Sequence, residues 1–295
     1  MGLAGFAAFQ KQAKPLSRQM IQWCVAALGL LVPLDQLVKL VESGMVFAIG
    51  TIVVVFAAGL ALARLLKVER DETILICSGT AICGGSAIAA VGSSIGAASS
   101  AMAISTAAVF ILNAVALYVF PILGHQMHLS DAQFGTWAGV AIHDVSSVIG
   151  ASKGYVADAV NGMGGKAGVA LDAATVVKLS RVIWIVPISL IARWWVRRAA
   201  AKDGAAVKKK LPVPWLIVLF VAASAASTFF PAVRENADEI RRVTGFGFQG
   251  ALFLIGSGIS RKALAAVGPR VLVLAVVLWV LIAAGSLPVI LATVK

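Results

Sequence analysis

A pair of glycines, Gly84 and Gly85, interrupts an apolar run, residues 73 to 91, that is otherwise long enough to form a membrane helix. Each glycine lowers helix propensity by about 1 kcal/mol relative to alanine. In hydrocarbon the backbone groups freed by a break meet no water, so a break persists only where it lines a cavity inside the protein. The sequence therefore predicts a discontinuous helix whose inner ends face a small bound solute. Polar side chains flank this break at Thr80, Cys83 and Ser86.

A second stretch of the chain, residues 139 to 150, resembles residues 79 to 90 without a gap. Four identities among residue types that are common in membrane proteins decide little by themselves. Both stretches, however, place their polar residues at the same offset, and in the second stretch His143 and Asp144 occupy that position. Two related halves that close on one site need this arrangement. The pattern predicts an internal repeat with a second break.

Composition places the whole chain in a membrane. Of the 295 residues, 60% are hydrophobic and 13% are charged, which excludes an ordinary soluble domain. The net charge of +12 is explained by basic residues in cytoplasmic loops rather than by a nucleic-acid partner. Three cysteines lack the spacing of a zinc site, and the chain has no catalytic motif. We therefore expect no metal, no cofactor and no enzymatic activity.

Apolar runs long enough to cross about 30 Å of hydrocarbon predict an all-α polytopic protein with nine membrane segments. No domain boundary is apparent, so residues 1–295 are expected to form one transmembrane domain. Lys and Arg residues collect in alternate loops, which predicts that the N-terminus and the basic loop 193–210 are cytoplasmic. The predicted segments lie near residues 20–40, 45–66, 73–91, 101–123, 135–151, 173–194, 212–230, 245–260 and 269–291.

Ionisable residues inside membrane segments are costly unless they are paired or hydrated, so each one is a candidate for function. His143 and Asp144 are adjacent, so on a helix they would point about 100° apart. An unperturbed His143 would change charge near neutral pH, which suits the coupling of transport to protons. The alternative is structural: a hydrogen-bonded core histidine, with Asp144 as its partner or as a local helix cap.

Lys178 and Arg181 lie three residues apart and therefore share one face of a predicted helix. Two cations on one face need an anion, which Asp144 or a bound anionic substrate would supply. The sequence leaves an alternative equally open, in which both side chains extend to the membrane interface.

Three stretches of the chain stand out in order: GTAICGGSAI at residues 79–88, WAGVAIHDV at 137–145 and VKLSRV at 177–182. Together with the early apolar stretch WCVAALGLL at 23–31, they are similar to the YeiH-type family of bacterial membrane proteins, whose members are labelled sulfate exporters. The resemblance implies a location in the bacterial inner membrane and a fold related to the sodium/proton antiporters and bile-acid symporters. Such a fold has inverted repeats, two discontinuous helices that cross near the membrane midplane, and alternating access.

The chain also departs from the family pattern. The usual histidine–glutamate pair is here His143-Asp144, one methylene shorter, and the glutamine that normally follows is absent from the stretch that holds Ser146 and Ser147. Members usually have one or two further helices before the position of Lys14. This chain is therefore expected to be short at its N-terminus or to complete its scaffold in a homodimer.

With the resemblance, the residues predict a secondary active transporter that exports a small anion, sulfate or a related oxyanion, with H+ or Na+ as coupling ion and membrane lipid around it. One alternative is a cation/proton antiporter-like exchanger that uses Asp144 and His143 as its protonatable pair. The other is a membrane scaffold or sensor that transports nothing. The predicted binding residues are Thr80, Cys83, Gly84, Gly85 and Ser86 in the first break, His143, Asp144, Ser146 and Ser147 in the second, and Lys178 and Arg181 as a source of positive potential.

Overall fold

The computed structural model describes residues 33–158, 167–182, 184–200, 215–237 and 267–294, with scattered positions between 16 and 31 and between 239 and 253. All regular structure in these residues is helical, which confirms the all-α class. A short 3-10 turn, Gly29–Leu31, precedes the continuous helices. Those helices are α1 (Leu34–Leu66), α2 (Arg70–Ala81), α3 (Gly85–Ile95), α4 (Ser99–Gln126), α5 (Asp131–Ala141), α6 (Val145–Asp158), α7 (Ala167–Val182), α8 (Ile185–Ala200), α9 (Trp215–Phe229), α10 (Pro231–Glu235) and α11 (Pro269–Thr293).

Within the described residues, three helices are long and apolar enough to cross a membrane. They are Phe47–Leu66 of α1, the whole of α4 and the whole of α11. Each of them exposes large apolar side chains, such as those of Val53, Ile122 and Val280, as a surface in contact with lipid would. The length and composition of these helices support the conclusion that the chain is inserted in a membrane.

The chain divides into two compact units, Met1–Gly44 with Pro214–Leu264 and Met45–Val213 with Ala265–Lys295. In the first unit the 3-10 turn packs against α9, and the Leu34 backbone N–H donates to Thr228 Oγ1 at 2.8 Å. In the second unit α2 packs on α3, α4 and α11, while α5 packs on α6, α7 and α11. All the predicted binding residues lie in the second unit.

Two helices of the second unit are broken, at positions sixty residues apart. The first break, residues 82–84, separates α2 from α3, and the second, residues 142–144, separates α5 from α6. At the first break Gly84 has a φ of 68°, a backbone conformation that residues with a Cβ rarely adopt. The sequence predicted both breaks, and their equal offset agrees with the alignment of the two stretches.

Two predicted helix boundaries are wrong. Residues 41–44 were expected to separate the first two segments, but α1 continues through them for a length of about 50 Å. Residues 173–194 were expected to form one segment, but the chain turns at Trp184, whose N–H donates to Arg181 O at 3.0 Å, between α7 and α8. Pro187 lies in the first turn of α8, where its missing N–H is not needed and its ring opposes a continuous helix from α7.

Other predictions fall partly on residues outside the described part of the chain. The basic loop 193–210 begins within α8, and its residues 201–210 are not among those described. Most of the eighth predicted segment, residues 245–260, lies outside the described residues as well.

The helices α5 and α7 approach each other closely along a line of small residues. A Cβ on Gly135 would overlap the Ala170 carbonyl oxygen and lie 2.9 Å from the Ala170 carbonyl carbon. One turn further along, a Cβ on Gly139 would lie 2.8 Å from the Ala174 carbonyl oxygen. Small residues at such spacing let helix backbones meet in membranes. This contact holds the end of α7 beside the second break.

The N-terminus of α5 is fixed by a capping box. Ser130 Oγ accepts from the Gln133 N–H at 3.3 Å, and Gln133 Oε1 accepts from the Ser130 N–H at 3.0 Å. We expect Ser130→Ala to lower the free energy of unfolding of the full chain in detergent by about 1 kcal/mol. Ser99→Ala is the matched control, because Ser99 begins α4 without providing a side-chain cap. An equal loss in the two variants would contradict the role of the capping box.

Candidate functional site

The two breaks touch each other. A Cβ on Gly84 would lie 3.3 Å from His143 Cβ and 3.4 Å from the His143 carbonyl carbon. The close approach explains why the first break has a glycine at the position where the second break passes. The ends of four half-helices, α2, α3, α5 and α6, therefore converge on one point.

Two buried cations from α7 bond to this crossing. Lys178 Nζ donates to Ile142 O at the end of α5. Arg181 Nε and Nη2 both donate to Ala81 O at the end of α2, at 3.1 and 2.6 Å. The carbonyl end of a helix carries partial negative charge, so each cation stabilises the carbonyl end of one broken helix. Lys178 is 0% exposed and Arg181 1%, so the alternative in which they extend to the membrane interface is wrong.

The side chain of Asp144 caps α6. One carboxylate oxygen accepts from the Ser147 N–H at 2.6 Å and from Ser146 Oγ at 2.7 Å. The other accepts from Asn113 Nδ2 at 2.6 Å and from Ser147 Oγ at 3.0 Å. Asp144 is therefore a local helix cap, one of the roles that the sequence left open. The hydroxyls of Ser146 and Ser147, which the sequence predicted to bind the substrate, bond to Asp144 in this structure.

Asn113 is a site residue that the sequence reasoning missed. It lies on α4, is 2% exposed, and joins His143 to Asp144 within the second break. Its Oδ1 accepts from the His143 N–H at 3.1 Å, while its Nδ2 donates to Asp144. An amide side chain in an apolar run indicates a buried polar contact, but the sequence criterion for intramembrane site residues considered only ionisable side chains, and Asn113 is not ionisable.

Several polar atoms at the crossing have no hydrogen-bond partner among the described residues. They are both ring nitrogens of His143, the hydroxyl of Thr80, and Nη1 of Arg181. Each of these side chains is 1% exposed. Buried polar groups are usually hydrogen-bonded, so a cluster of unpartnered ones indicates that a ligand or water completes them.

The remaining predicted residues lie around the first break. Cys83 Sγ and Ser86 Oγ are 2.7 Å apart, and Ser86 Oγ also donates to Cys83 O at 3.3 Å. Cys83 is buried, whereas Ser86 is exposed and Gly85 is half-buried beside Phe110. The first turn of α3 is therefore the accessible side of the crossing.

Comparison with known proteins identifies the family. The family model described as conserved hypothetical protein 698 matches residues 7–275. The chain belongs to the UPF0324 membrane protein family. A UPF0324 membrane protein of Vibrio parahaemolyticus is 38% identical over 271 residues, which cover 92% of this chain and 83% of the relative. A UPF0324 membrane protein of Porphyromonas gingivalis is 37% identical over 301 residues, with 99% and 85% coverage.

This assignment confirms the resemblance to the YeiH-type family, which is the same family. The UPF0324 relatives are described by name only as membrane proteins, in agreement with the apolar helices. No solved structure matches the chain.

Basic side chains outnumber acidic ones at the crossing of this UPF0324 protein. Lys178 and Arg181 bond to carbonyl groups beside the breaks, and Asp144 is the one carboxylate that the described contacts place with them. With all three side chains ionised, their net charge in this buried region is +1. A buried charge without a counter-charge is costly. The arrangement can therefore offset this cost by binding an anion.

Proposed function

We propose that this UPF0324 protein is a secondary transporter for a small oxyanion, sulfate or a related species, in the bacterial inner membrane. The observation that carries the proposal is the pair of buried basic side chains, Lys178 and Arg181, that bond to the ends of the two broken helices where these meet. Unpartnered donors beside it supply hydrogen bonds to an anion without a metal. The reaction is relocation of the anion by alternating access, and no bond is made or broken.

The sixty-residue offset of the two breaks supports the finer part of the proposal, a fold with inverted repeats. Gly79 packs α2 closely against Ile88 of α3 and Val109 of α4, and its counterpart Gly139 packs α5 closely against Ala174 and Val177 of α7. A closely packed glycine at corresponding positions of the two stretches is what two copies of one structural unit would have. We further propose that the N-terminus and the basic residues 193–210 face the cytoplasm.

The test is counterflow in vesicles. Proteoliposomes loaded with unlabelled sulfate should take up external radiolabelled sulfate faster than protein-free vesicles do. In Arg181→Lys the positive charge is kept but the second guanidinium nitrogen is lost, so we expect uptake to fall by about tenfold or more. Arg70→Lys is the matched control, since Arg70 is exposed and stacks on Trp195 at 5.2 Å, and it should transport like the unmodified protein.

A second variant separates the loss of sulfate binding from the loss of folding as the cause of reduced transport. Thr80→Val keeps the shape of a buried side chain and removes a hydroxyl that has no partner in the described structure. Its thermal stability should be kept or raised while sulfate uptake falls.

Other outcomes would favour the alternatives. Uptake that is insensitive to every oxyanion but follows a sodium or proton gradient would overturn the anion proposal in favour of a cation/proton exchanger. No exchange of any ion by well-folded protein would leave a membrane scaffold or sensor.

A further inference from the structure

The two arms of the first broken helix lie side by side. A Cβ on Gly79 would lie 2.9 Å from Ile88 Cδ1, and a Cβ on Gly92 would lie 3.2 Å from Leu75 Cδ2. If α2 and α3 followed each other end to end, Leu75 and Gly92 would be about 25 Å apart, at 1.5 Å per residue. The chain therefore reverses its direction at residues 82–84, and α2 and α3 form a helical hairpin, which we name hairpin 1.

The second broken helix folds back in the same way. The rings of Phe134 on α5 and Tyr155 on α6 stack with their centroids 3.9 Å apart, although helices placed end to end would separate these residues by about 30 Å. The Tyr155 hydroxyl also donates to Leu129 O, just before α5 begins. The chain therefore reverses at residues 142–144 as well, and α5 and α6 form hairpin 2.

The two hairpins adjoin opposite ends of α4. Hairpin 1 ends at Ile95 just before α4 begins at Ser99, whereas α4 ends at Gln126 just before hairpin 2 begins at Asp131. The 28 residues of α4 form a helix about 42 Å long, which is enough to cross a membrane. The hairpin arms have 11 to 14 residues each, which is less than half that length. Their tips, which touch each other, therefore lie about half-way across.

One basic residue of α7 bonds to each hairpin tip. Arg181 donates to Ala81 O in hairpin 1, and Lys178 donates to Ile142 O in hairpin 2. Because the two bonds come from different side chains, one tip can be released while the other stays bonded. The tips also differ in exposure, since Ser86 after the first break is exposed whereas Ser146 after the second is 2% exposed.

We propose that hairpins 1 and 2 are re-entrant, enter the membrane from opposite faces, and form the two gates of the anion site. The topology is independent of the proposed function, whereas the role as gates rests on it. Hairpin 1 closes the site toward the face where Arg70 stacks on Trp195, and hairpin 2 closes it toward the other face. Displacement of one tip, with the other still bonded to α7, opens the site to one face at a time, as alternating access requires.

The first experiment determines on which face of the membrane each turn lies. Single cysteines replace Glu69 before α2, Ser99 at the start of α4, Gln126 at its end, and Asn161, which follows α6 in the sequence. Intact cells are treated with a membrane-impermeant maleimide, permeabilised cells give the total labelling, and the unmodified protein with its native cysteines gives the background. Re-entrant hairpins predict that Glu69→Cys and Ser99→Cys label from one face. Gln126→Cys and Asn161→Cys should then label from the other.

Broken helices that each span the membrane predict an alternating pattern instead. Glu69→Cys and Gln126→Cys would then label from one face, and Ser99→Cys and Asn161→Cys from the other. That result would overturn both hairpins. If only one of the two expected pairs shares a face, the hairpin of the other pair is overturned.

The second experiment tests hairpin 2 as a gate. Lys178→Met removes the donor to Ile142 O, whereas the control Lys178→Arg keeps a cation that can donate to it. In each background, the measured quantity is the rate at which the impermeant maleimide labels Ser146→Cys from the face that labels Gln126→Cys. We expect this rate to be about tenfold higher in Lys178→Met, because the tip has lost a hydrogen bond from a charged group.

A second measurement leaves Lys178 intact, so it does not depend on the folding of Lys178→Met. Sulfate on both sides of the membrane should raise the rate of labelling of Ser146→Cys, because exchange opens the two gates in turn.

The outcomes separate the topology, the gates and the proposed function. Equal labelling rates in Lys178→Met and Lys178→Arg, or a rate that sulfate leaves unchanged, would overturn hairpin 2 as a gate, while the hairpins and anion transport would stand. A protein that shows the expected pattern of labelled faces but exchanges no anion would overturn the proposed function and its gates, and the re-entrant hairpins would remain.

Discussion

Gly135→Ala should lower the free energy of unfolding of the full chain by about 3 kcal/mol, at the upper end of the usual cost of overpacking. The added methyl group would meet the backbone of Ala170, with the carbonyl carbon at 2.9 Å and Cα at 3.0 Å. A side chain could rotate away, but a helix backbone yields only if α5 and α7 separate. The measurement is chemical or thermal unfolding of the purified protein in detergent.

The same change should abolish sulfate counterflow, because α7 carries Lys178 and Arg181 to the crossing. Gly285→Ala is the matched control. Gly285 lies inside α11, and a Cβ there would have no atom within 4 Å. That variant should keep its transport activity and gain up to about 1 kcal/mol from the higher helix propensity of alanine. A stable, active Gly135→Ala protein would contradict the close packing of α5 on α7.

The two breaks could be predicted from the sequence because their causes are local. A glycine pair in an apolar run weakens the helix at that point, and the similar stretch sixty residues later points to the second break. The structure places the breaks at residues 82–84 and 142–144. The contact between the two breaks was also predicted, because two related halves of a transporter close on one site.

The partners of the buried residues could not be predicted in the same way. Lys178 and Arg181 bond to the main-chain carbonyls of Ile142 and Ala81, and every residue has such a carbonyl, so no sequence signal marks these two. The sequence showed two cations that need an anion. It could not show that one available carboxylate, Asp144, is already bonded to four donors.

The wrong helix boundaries have a common origin, because they were placed where the hydrophobic pattern changes. Residues 41–44 are more polar than their surroundings and include Gly44, but one glycine costs a helix only about 1 kcal/mol, so α1 continues. Residues 173–194 are apolar enough for a single segment, yet the chain turns at Trp184. Hydrophobicity reports the environment of a segment and not the continuity of its backbone.

Asp144→Ala should destabilise the protein by about 4 kcal/mol, the largest effect expected at the site. The change removes the acceptor of four hydrogen bonds and leaves donors on Asn113, Ser146 and Ser147 buried without a partner. Each such donor costs about 1–3 kcal/mol, and the buried Lys178 loses its nearby carboxylate. Asp131→Ala is the matched control, because Asp131 lies in the first turn of α5 and should contribute less than about 1 kcal/mol.

Asp144→Asn separates a structural role from a role in proton exchange. Asparagine caps helices about as well as aspartate, so its side-chain oxygen can still accept from the Ser147 N–H. A structural Asp144 predicts that Asp144→Asn folds, loses roughly half as much stability as Asp144→Ala, and still exchanges sulfate for sulfate in vesicles. A proton-exchanging Asp144 predicts a folded protein in which pH-driven transport is abolished. The hydrogen bonds to Asp144 favour the first result, because a carboxylate that must take up a proton in each cycle would have to give up at least one of its four donors.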